Sequence, residues 1–567
     1  MLTKVFYLVL SLAVGAHLFN YFLGDQFEDY LKGGTYENEM LGAAAGNKCN
    51  RYDKLLGNTE EYIFNKIVQN ESYRNATAYK LARAVQVDTT IEDDYPNPEF
   101  QPDFPGWVKF KKLHAQLEKD FPLVWSNLKV ETVNGYSLLL TWEGSDASLK
   151  PNLFMAHEDT VPIDNATVDQ WEHAPFSGDF DGTYIWGRGS IDDKNMLIAM
   201  LESVEFILQN EPDFKPKRGL LLALGADEEI SGYFGNAYIK DILLERYGED
   251  GVYSIVDEGG IGISKLGDIW VASPATGEKG QLNLHFKVNG AGGHASVPPD
   301  HTTVGIASAI IAEIESQKFP QLYTEHNPIA KLMQCAADNS HMLPPSLKKD
   351  IRHATRDEAA KQRVLGFINR MGGKLVSYLF RTSQAATIVD GGVKANAIPE
   401  TTDFNINSRI SVESSVQETI DKLVSQAMVV VKKFDLGLTV LGKEILPKTA
   451  NGDVIVSVLN KLEPAPVSPT NEVWSEFAGS IKGFFEDIIF PNKLQQQVDL
   501  IVAPSVMPAN TDTWHYWQLT KNIYRFQPAL VNLELVSHIH SSNEHIDLDT
   551  LMYAVGFFYN YIHVINK

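Results

Sequence analysis

Five side chains able to hold a divalent cation, His157, Asp192, Glu229, Asp257 and His540, are spread over this 567-residue chain. His157 closes the run PNLFMAH, Glu228 and Glu229 follow RGLLLALGAD, and Asp257 and Glu258 follow VYSIV. Imidazole nitrogen and carboxylate oxygen suit zinc, and two ions held close together need a ligand able to bridge them; Asp192 is the choice for that place. Asp159, two residues beyond His157, is positioned to take the other ring N–H of that imidazole. In an extended segment Glu228 and Glu229 cannot share a direction, so Glu229 reads as the ligand and Glu228 as the proton carrier beside an acidified water. The chemistry implied is hydrolysis.

The elements that must present these groups can be read as well. Apolar runs bounded by Gly and acids fit strands covered on both faces, and in open α/β sheets sites gather outside the carboxyl ends of the strands. Asp192 and Asp193 lie in WGRGSIDDK, ahead of MLIAMLESVEFILQ, which has the composition and apolar stripe of a helix. They therefore stand at a helix start, where unpaired N–H groups favour a carboxylate. Asp193 and Glu258 read as capping or solvated acids. His538 and His545 compete with His540, since a strand period of two through LELVSHIHSS would put His538 on the same face.

The H-x-D of His157 and Asp159, GRGSIDDK, the Glu228–Glu229 pair, VDEGG at Asp257, GGHAS at His294, NAIP at Asn396 and HSSNE from His540 occur in this order from about residue 100 to the C-terminus. Together they resemble the dizinc aminoacylase and carboxypeptidase family of metallopeptidases. The length, the N-terminal apolar segment and the VDEGG form are nearest its fungal vacuolar branch, which removes the C-terminal residue of Gly-X peptides. The resemblance implies two zinc ions per subunit: His157 and Asp257 on one, Glu229 and His540 on the other, Asp192 between them. It implies that Glu228 activates the bridging water and later protonates the leaving amine. It further implies that His294 polarises the scissile carbonyl, often from the partner subunit of a homodimer, and that Asn396 and Arg409 hold the substrate. A guanidinium suits the grip on a free C-terminal carboxylate; the alternative for Arg409 is a surface strand residue paired with an acid.

The expected fold is α/β: a zinc-peptidase-type mixed or parallel sheet flanked by helices, with an inserted ferredoxin-like lid or dimerisation domain. Leu282, Leu284, Phe286 and Val288 alternate as in a half-exposed strand, TTVGIASAIIAEIESQ is amphipathic, TTDFNINSRI alternates again, SSVQETIDKLVSQAMVVVKKF is helical, and LGLTVLG is the expected closing strand. This order places the catalytic domain in residues 101–278 and 441–567 and the lid in 279–440, with residues 320–390 as an insertion of unread function. The pattern of the resembling family has a Gly where Ala509 or Asn510 stands, which leaves Thr511 and Asp512 open between substrate contact and ordinary polar turn. The segment from Asp547 to Ile565 reads as a packed terminal helix.

A formal charge of −23 argues against a nucleic-acid partner. Cys49 and Cys335 lack metal-ligand spacing, and sequence alone does not say whether so distant a pair is bonded. No charged residue interrupts Val5–Leu23, a length that spans a bilayer, with Lys4 before it and Asp25, Glu28 and Asp29 after it. The expectation is a type II anchor over residues 1–24, then a luminal stalk and wrapping segment over 25–100; a signal peptide cleaved near Val14-Gly15-Ala16 is the rival. Sequons at Asn70, Asn75 and Asn165 agree with a glycosylated, luminal protein under either reading. The expected substrate is a short peptide. The runner-up is an N-acyl amino acid, hydrolysed or made in reverse, and a non-catalytic receptor of the same fold is a third reading, against which the retained Glu228 counts.

Overall fold

The computed structural model describes Cys49 and residues 52–567. The apolar run Val5–Leu23 lies outside the described residues, and among those described no helix is long and apolar enough to cross a membrane.

After helix α1 (Glu71–Val85) come β1 (Lys129–Val133), β2 (Ser137–Trp142), β3 (Asn152–His157), α2 (Lys194–Asn210), β4 (Leu220–Gly225), α3 (Asn236–Tyr247) and β5 (Ile255–Leu266). A second unit follows, with β6 (Gly280–Asn289), α4 (Thr303–Ser316), α5 (Pro328–Asn339), β7 (Ala385–Asp390), β8 (Thr401–Ile410), α6 (Val416–Lys433) and β9 (Asp453–Leu462). The chain then returns through α7 (Glu472–Gly483), β10 (Ile523–Leu530) and α8 (Leu548–Val564).

The large sheet runs β1-β2-β4-β3-β5-β10 before two short strands, Ala275–Glu278 and Ser505–Met507. The strands β4, β3, β5 and β10 are parallel, while β1 and β2 form an antiparallel edge. Every residue of β2, β3 and β4 is buried, as expected of strands roofed on both faces. One roof is α2 packed on α8. Burial all round α2 encloses two acids, and both are satisfied: Glu202 accepts from Lys80 at 2.5 Å, and Glu205 from the amides of Leu123 and Val124 at 3.2 and 2.8 Å. Left unpaired they would cost several kcal/mol each.

The small sheet has the order β7-β8-β6-β9, extended by Gly437–Val440 and Lys443–Leu446, with its strand pairings from β7 to β9 antiparallel. Strand, helix, two strands, helix, strand in that spatial order is the ferredoxin-like layer expected, with α4 and α6 filling its core. Its limits differ from the sequence reading. The lid does not end at 440: β9 is its fourth core strand, paired to β6, so the crossing back falls after Leu462. Likewise Ala385–Asp390, read as insertion, is an edge strand of this sheet. What remains between α4 and β7 is a helical insert with its own core of Tyr323, Ile329, Leu347, Ile351, Val364 and Phe380, closed against Val506 of the large domain.

Residues 52–100 are no free stalk. Leu81, Ala82 and Val85 of α1 belong to the main core. The stretch before α1 lies along α7, where a Cβ on Gly479 or Gly483 would come within 2.4 Å of the Asp53 carbonyl or 2.6 Å of the Leu55 carbonyl. Those glycines form the groove. Beyond it Cys49 forms a disulfide with Cys335 of α5, spanning 286 residues of sequence and tying the N-terminal segment to the insert. Closing so long a loop stabilises chiefly by restricting the unfolded chain, typically by about 2–4 kcal/mol. The double variant Cys49→Ser, Cys335→Ser should lower the thermal unfolding midpoint by several degrees and expose the N-terminal segment to limited proteolysis. An unchanged midpoint would mean that the strap is held by packing alone.

Candidate active site

The parallel strands β3, β4 and β5 bring their carboxyl ends to one edge, and the predicted side chains meet there. His157 is the last residue of β3, Glu228 and Glu229 form a short turn just beyond β4, and Glu258 lies within β5. Asp192 immediately precedes the N-cap of α2, Asp193, to which it is joined by a cis peptide bond. Asp192 sits between the imidazoles: its Oδ1 is 3.1 Å from His157 Nε2 and its Oδ2 is 3.0 Å from His540 Nε2. His540 Nε2 also lies 3.0 Å from Glu229 Oε1. One carboxylate facing two imidazoles with different oxygens is the geometry a bridging ligand requires.

Asp159 does two jobs. The His157 Nδ1–H donates to its backbone carbonyl at 3.0 Å with the carboxylate 3.4 Å away, while that carboxylate accepts the amides of Glu228 and Glu229 at 3.1 and 2.9 Å. It therefore fixes the ring and the turn together. Neither rival imidazole competes with His540. His538 Nδ1 donates to the Ser542 carbonyl, and His545 donates to the Asn543 carbonyl and stacks on Trp186 at 4.2 Å.

Asp257 is the correction. The structure brings Glu258, not Asp257, to the centre: Glu258 Oε1 is 3.9 Å from His157 Nε2, and His157, Asp193 and Glu258 offer ligand atoms within 4.8 Å of one another. Neighbours in a strand face opposite ways. Asp257 stands in register with Arg525 of β10, where burial pushes it up to about 6 and one of its oxygens has no hydrogen-bond partner. Asp193, read as a cap, makes no capping hydrogen bond and is buried with one oxygen unpartnered.

Glu544 was legible only as the last letter of the motif that selects His540, without a role. It is completely buried and ties two loops together. Its Oε2 pairs with Arg188 at 2.5 Å, its Oε1 accepts the amides of Gly189 and Ile191 at 2.8 and 3.2 Å, and its carbonyl accepts from Gly187 at 2.8 Å. The loop carrying Asp192 is thereby held to the loop carrying His540.

Burial disfavours the charged form of both rings, yet the facing carboxylates outweigh it and hold His157 and His540 well above their ordinary value. Against burial, the same rings hold Asp192 well below the usual carboxylate range. Burial and then neighbouring negative charge raise Glu228, and burial first raises Glu258 and Asp193. Five carboxylates gathered here, Asp192, Asp193, Glu228, Glu229 and Glu258, outnumber the two imidazoles, and such crowding out of water is relieved by cations among them. Nitrogen and oxygen donors on separate rigid elements, two acids with unpaired buried oxygens nearby and a carboxylate between both rings fit a pair of divalent ions.

A cavity of about 540 Å³ opens over this centre and reaches the small domain, from which Gln281, Asn283, Arg409 and Asn460 line it, facing Tyr233, Asn510, Asp512 and Trp514 of the large one. Thr511 and Asp512, left open by the sequence, both line it. Arg409 is a half-buried cavity residue and not a surface ion pair: it donates to the side-chain oxygens of Asn510 and of Gln281, the latter at 3.4 Å. His294 and Asn396 are not brought to this cavity. Both are exposed and lie together, with Ala295 N–H donating to the Asn396 carbonyl at 3.1 Å.

An α/β sheet with nitrogen and oxygen donors gathered at one edge and a ferredoxin-like second domain above the cavity fits a metallopeptidase. The chain belongs to the peptidase family M20/M25/M40, whose model matches residues 153–564. It is 42% identical to carboxypeptidase S of Saccharomyces cerevisiae over 525 residues, 92% of this chain and 89% of that one. It is 31% identical to the N-fatty-acyl-amino acid synthase/hydrolase of Mus musculus over 500 residues, 87% and 88% of the two chains. Among solved structures, human carnosine dipeptidase 1 shares the fold with a TM-score of 0.57 at 15% identity, covering 89% of this chain and 98% of that one.

Proposed function

We propose that the protein is a dizinc carboxypeptidase that removes the C-terminal residue from short peptides. The observation that carries this is Arg409: a cavity guanidinium bonded only to amide oxygens, with no carboxylate in ion-pair reach among the described residues, is a cation left open for an incoming anion. Its position in the same cavity as the imidazole and carboxylate centre supports a role in holding a substrate's C-terminal carboxylate.

His157, Asp192 and Glu258 would hold one zinc, and Asp192, Glu229 and His540 the other; cobalt or manganese would suit the same donors. Bound there, the ions supply acidity that makes water a nucleophile near neutral pH and polarise the scissile carbonyl. Glu228 takes the proton of the attacking water and returns it to the leaving amine. Two features support that part: Glu228 lines the cavity with a carboxylate oxygen within 4.8 Å of a His157 nitrogen, and burial with the neighbouring Glu258 raises its affinity for a proton. Asp159 keeps His157 and the Glu228 turn in place, and Arg409 orients the substrate.

The peptide reading is favoured over a fatty-acyl one by the higher identity to carboxypeptidase S, 42% against 31%. The cavity is lined by Ile191, Tyr233, Leu462, Met507, Trp514 and Ile539 as well as by amides and acids. A long acyl chain gains about 0.8 kcal/mol for each CH₂ only where apolar surface receives it. On full-length, zinc-loaded protein, a blocked Gly-Leu should be cleaved with a higher kcat/KM than a long-chain acyl-leucine, and far faster than blocked Gly-Leu amide. The reverse order of the first two would make the protein an N-acyl amino acid amidohydrolase, and equal turnover of acid and amide would remove the carboxypeptidase reading.

Homodimerisation through the small domain is part of the proposal. The edge strand β7 exposes Ile388 and Val389 at 56% and 58%, near Val393 at 100%, and Val297, three residues from His294, is 81% exposed. A bare apolar strand edge invites a second copy, and docking there would explain why His294 and Asn396 stand outside their own cavity. A luminal site, the vacuole by the resemblance noted above, is supported by the Cys49–Cys335 disulfide, which needs an oxidising compartment during folding, and by the exposure of Asn75 and Asn165. Asn70 suits glycosylation less, because its side chain caps α1 by accepting from Tyr73 N–H. Membrane attachment rests on the Val5–Leu23 run.

A further inference from the structure

We propose that Asn510 aims Arg409 and thereby sets the carboxylate subsite, so that recognition of the substrate's C-terminus depends on the two domains being docked; this rests on the reading of Arg409 above. Arg409 belongs to β8 of the small domain, whereas Asn510 stands on a large-domain loop, at the place where the chain departs from the glycine pattern noted in the sequence. Both ends of its amide are in use. Oδ1 accepts from an Arg409 Nη1–H, and Nδ2 donates to the Lys279 carbonyl at 2.7 Å, on the segment where the chain crosses between domains. Because one end must accept and the other donate, the amide cannot turn over without losing both bonds.

The loop bearing it is anchored from the same crossing segment. Glu278, 1% exposed, accepts the Thr511 amide N–H and the Thr513 hydroxyl at 3.1 Å, and is itself paired with the equally buried Arg525 at 2.8 Å. Lys279 donates to the carbonyls of Tyr378 and Arg381 at 2.8 and 2.7 Å, so the end of the helical insert braces the segment from the other side. Gln281, the strand partner of Arg409, adds a weaker contact at 3.4 Å. A neutral amide is the suitable partner. It fixes one nitrogen of the guanidinium and leaves the positive charge uncompensated, where a carboxylate would form the ion pair meant for the substrate.

The test compares Asn510→Ala and Asn510→Asp with the wild type as full-length, zinc-loaded enzymes, using blocked Gly-Leu, its C-terminal amide, and free leucine as a competitive inhibitor. Loss of a hydrogen bond to a charged group should raise KM for the acid by about tenfold to a hundredfold in the alanine variant, with a much smaller change in kcat. Inhibition by leucine should weaken in parallel, and the preference for acid over amide should collapse. The aspartate variant, nearly isosteric but carrying the charge that would pair with Arg409, should bind the acid less well than the alanine variant, and the thermal midpoints of both variants show that each is folded. A purely structural role predicts the opposite order. An unchanged KM for the acid in both variants, or an aspartate variant that binds more tightly than alanine, overturns the proposal. A wild type indifferent to acid and amide would instead strike at the function proposed for Arg409.

Discussion

Glu228→Gln should leave two zinc ions per chain and lower kcat by roughly a hundredfold to ten-thousandfold, the range that a positioned general acid–base supplies. The substitution keeps size and removes only the ability to carry a proton. The turn that holds residue 228 is fixed through backbone amides by Asp159, and the imidazoles are fixed by Asp192 and Glu229, so the centre should stay assembled. KM for a blocked Gly-Leu should move little, since Arg409 is untouched. Metal content by elemental analysis and steady-state kinetics on the same preparation check both halves. Activity within a few-fold of wild type would exclude Glu228 as the proton carrier, and loss of zinc with activity would make it a ligand.

The second large effect separates Glu258 from Asp257. Glu258→Ala should weaken zinc binding by more than the roughly 10–100-fold that follows loss of a group merely supporting a ligand, with activity recovered in part at high zinc. Asp257→Asn should retain both ions, because Asp257 stands in register with Arg525 and lies outside the groups of ligand atoms gathered around the imidazoles. Zinc titration against a competing chelator ranks the two variants. The opposite ranking would return the first ion to Asp257 and require β5 to be turned by one residue.

That pair also shows where sequence stops being informative. The strand, the acidic doublet and the sheet edge could be read from VYSIVDEGG, but two adjacent acids in a strand face opposite sides, and nothing local fixes which faces the centre. His157, Asp192 and Glu229 were legible because each sits at a strand end or helix start with its own punctuation, whereas His540 stood apart from His538 and His545 only through the pattern of the resembling family; the structure sets His157 against Asp192, and Asp192, Glu229 and His540 together. The limits of the small domain were blurred because Gly437–Val440 alternates as convincingly as Asp453–Leu462, although only the latter pairs with β6. The Cys49–Cys335 bond and the Asn510–Arg409 contact join residues 286 and 101 positions apart, and no periodicity carries information over such distances.

Glu544 and the short strand His545–Asp547, which pairs with Tyr184–Trp186, bear on how the enzyme is made. The loop that presents Asp192 is completed by Glu544, 353 to 356 positions further along the chain, and His540 comes from the same stretch. A nascent chain lacking them holds neither the second imidazole nor the buried acid that closes the Gly187–Ile191 loop. Assembly of the centre therefore follows synthesis of the His540–Asp547 stretch, and a chain cut short before it would lack part of the cation shell.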